Sequence, residues 1–209
     1  MYRPTIFQED DVDKLISFIR ANSFATLVSI VDGVPYASHI PLVVTIEEDV
    51  VKLTGHLAKQ NPQWQFFSVG ESLAIFTSAH AYISPTLYER HESVPTWNYI
   101  AVHAYGIPKV MTLADAPAAM NEMIDRMVDT YEATYQKQWD GLSEKYREGM
   151  MNGIVGFEMM VSRLEGKYKL SQNKSQIERQ NIAESLMKST DSIDRSIGRE
   201  MNQLYSQHE

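Results

Sequence analysis

The sequence contains no cysteine among its 209 residues. This absence excludes disulfides, thiolate metal sites, iron–sulfur clusters and cysteine nucleophiles. No apolar run approaches the length of a membrane span, and the amino terminus, MYRPTIFQEDD, does not resemble a signal peptide. We therefore expect a cytoplasmic protein with no membrane partner. The formal net charge of -8 also argues against a surface that attracts nucleic acid as a whole.

Common nucleotide-binding and nucleophile motifs are absent as well. No Gly-x-Gly occurs, which excludes the dinucleotide fingerprint and the kinase glycine loop, and there is neither a P-loop nor a Gly-x-Ser-x-Gly elbow. The six histidines show no His-x-His or His-Glu-x-x-His spacing. We expect no metal site, and no motif identifies a catalytic residue.

What the chain does contain is enough apolar sequence, 44% of its residues, for a buried core. An Asp-Gly pair between two β-rich runs predicts a hairpin, and an acidic turn between two further runs predicts a second one. The predicted strands are Phe24–Val31, Val34–Val44, Thr45–Ile46 and Val50–Leu57. We expect them to form one antiparallel sheet, which later strands extend to six and close into a small barrel.

An aromatic segment, Ala79–Gly106, stands out in the middle of the chain. It holds three of the six histidines, and Pro85 and Pro95 interrupt any regular ladder. We expect a loop that joins a strand at Ser72–Thr77 to strands within Tyr99–Met111. Its aromatic residues either fold back as a lid over the core or form one wall of a site for a flat aromatic ligand.

The remaining segments have a helical pattern, apart from a strand predicted at Gly153–Ser162. Apolar periodicity predicts a surface helix at Glu9–Ser23 and a brief helix after Leu57 that turns Trp64 and Phe67 inward. It also predicts a helical insertion at about 113–151, whose methionines fill the core, and a helical tail at about 174–207. We therefore predict an α+β fold in a single domain, residues 1–209.

Two polar clusters lie where predicted strands end. The run from Gly55 to Pro62 offers a cation, an amide and free backbone N–H groups at the start of a short helix, a combination that binds phosphate. The alternative is a solvated turn capped by Asn61. The run Lys167–Asn173 offers two cations and amide groups that suit a ring with alternating donors and acceptors, or else a basic exposed turn.

Five motifs taken together resemble a known family, the PaiB-type FMN-binding negative transcriptional regulators. They are SFATLVS with GVPYASHIPL, GHLAKQNPQW, HAYISPTLY with VPTWNY, GIVGFE and GKYKLSQNKS, in that order along the chain. This family belongs to the flavin-binding split barrels, with the pyridoxamine phosphate oxidases and flavin reductases. The resemblance implies an antiparallel split β-barrel with a helical insertion and C-terminal helices, a homodimer with FMN between subunits, and repression of protease and sporulation genes.

The resemblance also implies a set of FMN-binding residues. Lys59 would bind the phosphate, with His56 and Ala58 beside it. The other residues would face the ring or ribityl chain, some from the aromatic loop of the same or the partner subunit: Ser38, His39, Thr96, Trp97, Asn98, Lys169, Ser171, Gln172 and Asn173.

Three functions fit these residues. The first is a flavin-binding regulator. Because the sequence has no helix-turn-helix signature, regulation would use either a protein partner or a direct DNA contact. A DNA contact would use the basic tail residues Arg179, Lys188, Arg195 and Arg199. The second is an FMN-dependent oxidoreductase or flavin reductase, with hydride chemistry supplied by the cofactor. The third is a haem-binding barrel in which His39, His56 or His103 ligates iron.

Overall fold

The computed structural model of the protein describes residues 1–206. The strands in this part of the chain are β1 (Gln8–Glu9), β2 (Phe24–Val31), β3 (Val34–Pro41), β4 (Val43–Glu47), β5 (Val50–Ala58), β6 (Ser72–Ile83), β7 (Thr96–Gly106), β8 (Pro108–Met111), β9 (Ile154–Met160) and β10 (Arg163–Lys169). The α-helices are α1 (Val12–Ala21), α2 (Pro117–Glu132), α3 (Gln136–Gly141), α4 (Glu144–Met151), α5 (Gln176–Met187) and α6 (Ser192–Ser206). None of them is long and apolar enough to cross a membrane.

The strands form two antiparallel sheets. One has the order β1-β10-β7-β6-β2-β3 and the other the order β4-β5-β9-β8. The predicted α+β class, with six or more antiparallel strands, is confirmed. The expectation of one sheet for the first four strands is wrong, because the chain changes sheets at Leu42. This residue is buried and its backbone N–H donates to Ser23 O at 2.9 Å, so it belongs to neither ladder.

Both predicted hairpins are present. Strands β2 and β3 pair up to Val31 and Val34, and the two residues between them, Asp32 and Gly33, have φ values of 52° and 80°. These left-handed conformations are those of a tight two-residue turn. The β4–β5 hairpin ends on Glu47 and Val50 and uses the same backbone region at Glu48 and Asp49.

The described residues divide into two compact units. The first unit comprises Met1–Leu15, Thr77–Val102 and the described residues from Glu165 onward. Helices α5 and α6 belong to it and contribute the buried side chains Ile182, Leu186, Ile197 and Met201. The Ser175 hydroxyl and the Glu178 carboxylate form a capping box at the start of α5, which satisfies the free backbone N–H groups there.

The second unit comprises Ile16–Phe76 and His103–Leu164. Its helices α2 to α4 lie within the predicted insertion, and the predicted core role of the methionines is confirmed. A buried cluster joins Met120, Met123, Met127 and Met151 to Val43 and Met111. Phe67 is fully buried, as predicted, with its ring edge-on to Phe157 at 5.0 Å. Trp64 is only half-buried, and the neighbouring Gln63 is the buried side chain instead.

Three segments differ from their predicted structure. The aromatic loop is shorter than expected, because β6 continues to Ile83 and β7 already begins at Thr96. The run that starts at Arg163, for which no strand was predicted, forms strand β10, and this strand includes the first residues of the run Lys167–Asn173. The predicted tail helix is two helices, since the Asp191 carboxylate accepts the Ile193 N–H at 2.8 Å and starts α6 anew. Its predicted last residue, Gln207, lies outside the described residues, and the grouping of all elements into a single domain stays a prediction.

Candidate functional site

The turn that follows β5 contains the predicted phosphate ligand, Lys59. The Lys59 backbone N–H donates to Gly153 O at 2.9 Å, and its carbonyl oxygen accepts from Trp64 Nε1 at 3.0 Å. Asn61 Oδ1 accepts the Gln63 N–H at 3.0 Å and caps the 3₁₀ helix Pro62–Val69. The Lys59 side chain is exposed. The backbone of this turn is therefore fixed from both sides, while the ammonium group remains accessible to an anion.

Two predicted residues on β3 lie near this turn in the hydrogen-bond network. Ser38 Oγ accepts from Asn61 Nδ2 at 2.8 Å, so the strand and the Lys59 turn are joined by one side-chain bond. His39, the next residue, is exposed, and its Nδ1 lies 3.0 Å from Thr26 Oγ1 on β2. Asn61 was interpreted from the sequence as a cap only. In the structure its side chain performs that role and also positions Ser38.

His56 is the most distinctive polar residue of β5. Its Nδ1 is buried and has no hydrogen-bond partner among the described residues. Burial lowers the pKa of His56 below its usual value, so the imidazole is neutral at pH 7. A neutral imidazole has one donor and one acceptor nitrogen, and an unsatisfied buried nitrogen is costly unless a ligand or water pairs with it. Ala58, two residues on, is exposed at the end of the strand.

A second group of predicted residues lies in the first unit, where β7 begins. Lys169 Nζ donates to Thr96 Oγ1 and, at 2.6 Å, to the carbonyl oxygen of Trp97. Burial, and then the positive charge of Lys167, lower the pKa of Lys169. These contacts bring the aromatic segment and the KLSQN run together.

The Trp97 ring is on the surface beside two further rings. It is 51% exposed, with ring centres 5.6 Å from His80 and 5.7 Å from Tyr82. His80 and Tyr82 were assigned to a loop and were not predicted as site residues. They lie on β6, where alternation with buried Ala81 and Ile83 turns both rings outward. This alternation was the signal in the sequence that identifies them.

Most of the other predicted residues of this unit form hydrogen bonds with neighbouring protein groups. Asn98 and Ser171 are buried and exchange two hydrogen bonds, of 2.9 and 3.1 Å, with Ser171 in the left-handed region at φ 66°. Gln172 Oε1 accepts the Leu170 N–H at 2.7 Å, and its Nε2 donates to Tyr168 O. Asn173, in contrast, is exposed. Asn98, Ser171 and Gln172 thus fix the turn after β10, and their polar atoms are used within the protein.

The predicted residues therefore form two clusters, one in each unit. The Lys59 cluster comprises Ser38, His39, His56, Ala58 and Lys59. The Trp97 cluster comprises Thr96, Trp97, Asn98, Lys169, Ser171, Gln172 and Asn173. The Lys59 cluster presents an exposed cation on a fixed backbone, which suits an anionic group. The Trp97 cluster presents an exposed aromatic ring on a fixed backbone, which suits a flat ring. Among residues 1–206, no group of three or more His, Asp or Glu side chains is arranged to hold a metal ion.

Comparison with known proteins places these clusters in context. Residues 1–163 match the family described as "Putative FMN-binding domain". The chain is 39% identical over 189 residues to the Bacillus subtilis "Protease synthase and sporulation protein PAI 2", covering 89% of each sequence. The family match ends before β10 does, so the Lys59 cluster lies inside the matched region and Lys169 lies beyond it.

Solved structures share the fold at low identity. The flavocytochrome Anf3 from Azotobacter vinelandii superposes with a TM-score of 0.62 at 12% identity, over 80% of this chain and 72% of that one. The FAD and heme binding protein from Mycobacterium smegmatis gives a TM-score of 0.56 at 14% identity, over 78% and 73% of the two chains. The predicted split-barrel fold is thereby confirmed.

Proposed function

Because the chain belongs to the family of FMN-binding domains matched over residues 1–163, we propose that it binds FMN and acts as a negative regulator of transcription. The observation that carries this proposal is the similarity to the sporulation protein of B. subtilis, which extends over 89% of both sequences. A match of that extent covers both units of the fold and is not limited to one shared motif.

Within the Lys59 cluster, we propose that Lys59 binds the FMN phosphate. Its side chain is exposed on a turn whose backbone is held by Gly153 and Trp64, so little conformational entropy is lost when an anion binds. The unpaired Nδ1 of His56 supports a ligand contact, because a flavin offers both donors and acceptors to a neutral imidazole. Ser38 would help to hold the Lys59 turn in place, because it accepts a hydrogen bond from Asn61.

The Trp97 cluster is proposed, within its own unit, as a surface for a flavin ring. Trp97, His80 and Tyr82 expose ring faces on which a planar ring can stack. Lys169 would act by holding the backbone of Trp97 in place, and Asn98 and Ser171 by supporting the adjacent turn. FMN, when bound, would supply redox chemistry, while these side chains bind and orient it.

Regulation through direct DNA contact has weak support from the tail. Of the four basic residues predicted for it, Arg179 stacks on the Tyr205 ring at 4.3 Å, Lys188 pairs with Glu184 at 3.3 Å, and Arg195 Nη1 donates to Ser189 O at 2.7 Å. Lys188 and Arg199 are the exposed members of the set, and Arg179 and Arg195 are half-buried. We therefore propose that repression of protease and sporulation genes proceeds through a protein partner in the cytoplasm. A gel shift with promoter DNA that is abolished by Arg199→Gln would contradict this part of the proposal.

A homodimer is proposed from the exposed edge of the six-stranded sheet. Strand β3 is an edge strand, and apolar side chains stay exposed on it and on β2: Phe24 at 68%, Val34 at 63% and Tyr36 at 37%. Exposed apolar patches at a sheet edge are typical of interaction surfaces. Sedimentation of the wild type as a dimer, and of Val34→Lys as a monomer, would support this surface.

The first test is the visible spectrum of the purified protein, followed by titration with FMN and with haem. Saturable binding of FMN would support the proposal, and its absence under varied conditions would contradict it. A Soret band on addition of haem, lost in His56→Ala, would favour the haem-binding alternative instead. Turnover of NADH or NADPH with added FMN would favour the reductase.

A further inference from the structure

A pocket formed by helices α5 and α6 has no role in the proposed function. It lies within the first unit, has a volume of about 520 Å³, and is open to solvent. Sites for small molecules are commonly of this size. Its lining residues are Gln172, Gln176, Arg179, Gln180, Ala183, Asn202, Leu204, Tyr205 and Ser206.

The Arg179 side chain determines the chemistry of this pocket. Its guanidinium lies over the Tyr205 ring at 4.3 Å, and the Tyr205 hydroxyl donates to Leu170 O at 2.7 Å. The ring is therefore fixed at its far end, and it holds the guanidinium plane in one orientation.

One donor of this guanidinium is unused. Arg179 Nε is buried and has no hydrogen-bond partner among the described residues. A buried donor on a charged group is costly when it stays unpaired, so this nitrogen requires an acceptor. The Nε–H and one neighbouring N–H of an arginine point in parallel, so a shift of the Arg179 side chain that exposes Nε presents both to the two oxygens of a carboxylate or phosphate.

The charged and polar groups around Arg179 favour the same class of ligand, one that carries a carboxylate or a phosphate. Among the described residues 1–206, those that line the pocket include one cation and no carboxylate. Gln176, Gln180 and Asn202 are exposed at its rim and offer amide donors and acceptors to hydroxyl or carbonyl groups. The Gln172 amide, in contrast, is bonded to Leu170 and Tyr168.

We propose that this pocket binds a small organic anion, with two oxygens of a carboxylate or phosphate against Arg179 and the polar remainder against the rim amides. Such a ligand bridges α5 and α6. Among the described lining residues, Gln172 is shared with the Trp97 cluster, and its amide is already bonded within the protein. Arg179, Gln176 and Asn202 belong to neither cluster proposed for the flavin.

The test is isothermal titration of the full-length protein with citrate and with inorganic phosphate at low ionic strength. Saturable binding of either probe is expected, and Arg179→Gln should weaken it at least tenfold. Arg179→Lys should weaken binding as well, because it keeps the charge and loses the parallel donors. Arg199→Gln, on the exposed side of α6, is the matched control and should bind as the wild type does. Citrate binding alone would identify a carboxylate ligand, and phosphate binding alone a phosphate.

Gln176→Trp provides a second variant in case Arg179→Gln fails to fold. It places a large side chain at an exposed rim position, so it should fill the pocket and abolish binding without loss of thermal stability. Absence of saturable binding in the wild type, or equal binding by Gln176→Trp, would overturn the proposal. FMN titration of the same variants separates the two sites: FMN affinity should be unchanged, and a parallel loss would assign the pocket to the flavin. Citrate binding without FMN binding would refute the proposed function and leave this inference intact.

Discussion

Lys169 donates a hydrogen bond of 2.6 Å from its Nζ to the carbonyl oxygen of Trp97. The two residues are 72 positions apart in the sequence, and the same ammonium group also bonds Thr96 Oγ1. This one side chain therefore fixes the start of β7, from which the exposed Trp97 ring projects. The aromatic segment and the KLSQN run, which the sequence presents as separate motifs, are connected by it.

We predict that Lys169→Met loosens the start of β7. Loss of the two hydrogen bonds should cost about 1 kcal/mol of folding free energy, at the low end for a charged donor because the contact is partly exposed. The thermal unfolding midpoint and the tryptophan fluorescence spectrum would measure the loss. Lys188→Met is the control, since Lys188 is 78% exposed and pairs only within α5's last turn. Equal effects of the two substitutions would show that the Trp97 carbonyl contact contributes nothing.

The sequence predicts those parts of the fold that local chemistry determines. The Asp32-Gly33 turn is an example, because few residues other than Gly, Asn and Asp accept positive φ, and the flanking β-branched residues then pair in a fixed register. The methionine stripe of α2 is another, since helical spacing alone places Met120 and Met127 on one face. The Asn61 cap could likewise be predicted, because Asn61 directly precedes the short helix that begins at Pro62.

Strand β10 could not be predicted because it buries charged side chains, which are normally exposed. Glu165 and Lys167 are charged, yet each is only 8% exposed. Glu165 pairs with the amino-terminal ammonium group, and Lys167 Nζ donates to Tyr2 O at 3.0 Å. Both partners lie at the opposite end of the chain, and no local pattern reveals them. The inward direction of Asn98 and Ser171 was hidden for the same reason, since their partner is each other.

For the Lys59 turn, we predict a binding defect without a stability defect. Lys59→Ala removes a charge-assisted contact to the FMN phosphate, worth about 1.5 to 3 kcal/mol, so the FMN dissociation constant should rise roughly 10- to 150-fold. The unfolding midpoint should stay the same, because the side chain is exposed. Fluorescence titration with FMN would measure the change, with Lys145→Ala, on the exposed face of α4, as the control. An unchanged FMN affinity would refute the assignment.

His56 should make the protein sensitive to acid. Burial lowers its pKa below the usual 6.5 in the folded chain. As the pH falls through 6.5, the unfolded chain therefore takes up a proton that the folded chain does not, and the free energy of unfolding decreases. Above pH 7 the residue is neutral in both states and the effect vanishes. We predict that the unfolding midpoint of the wild type drops between pH 6.5 and 5 more steeply than that of His56→Gln.

The control for this pH dependence is His91→Gln, because His91 is exposed. That variant should follow the wild-type curve at every pH. If the His56→Gln and wild-type curves are parallel instead, the His56 ring does not remain neutral and its environment must be wetter than its burial implies.

Two glycines should respond to the same substitution with opposite signs. At Gly166, on β10, a Cβ atom would lie 2.3 Å from Leu15 Cδ2 and 2.7 Å from the backbone oxygen of Glu9. The backbone oxygen belongs to β1, which pairs with β10 at this residue and cannot withdraw without breaking the ladder. Gly166→Ala should therefore cost about 1 to 3 kcal/mol, and the unfolding midpoint should fall by about 2 to 4 °C per kcal/mol.

At Gly149, within α4, a Cβ atom would meet nothing within 4 Å. Alanine restricts the unfolded chain more than glycine does and suits a helix, so Gly149→Ala should stabilise the protein by about 0.5 to 1 kcal/mol. Thermal unfolding of both variants in one buffer measures the contrast. Gly166→Ala could prove as stable as the wild type while Gly149→Ala behaves as expected. That result would mean that β1 is not held against β10 in solution. The contacts that Glu165 and Lys167 make with the amino-terminal residues would then be absent as well.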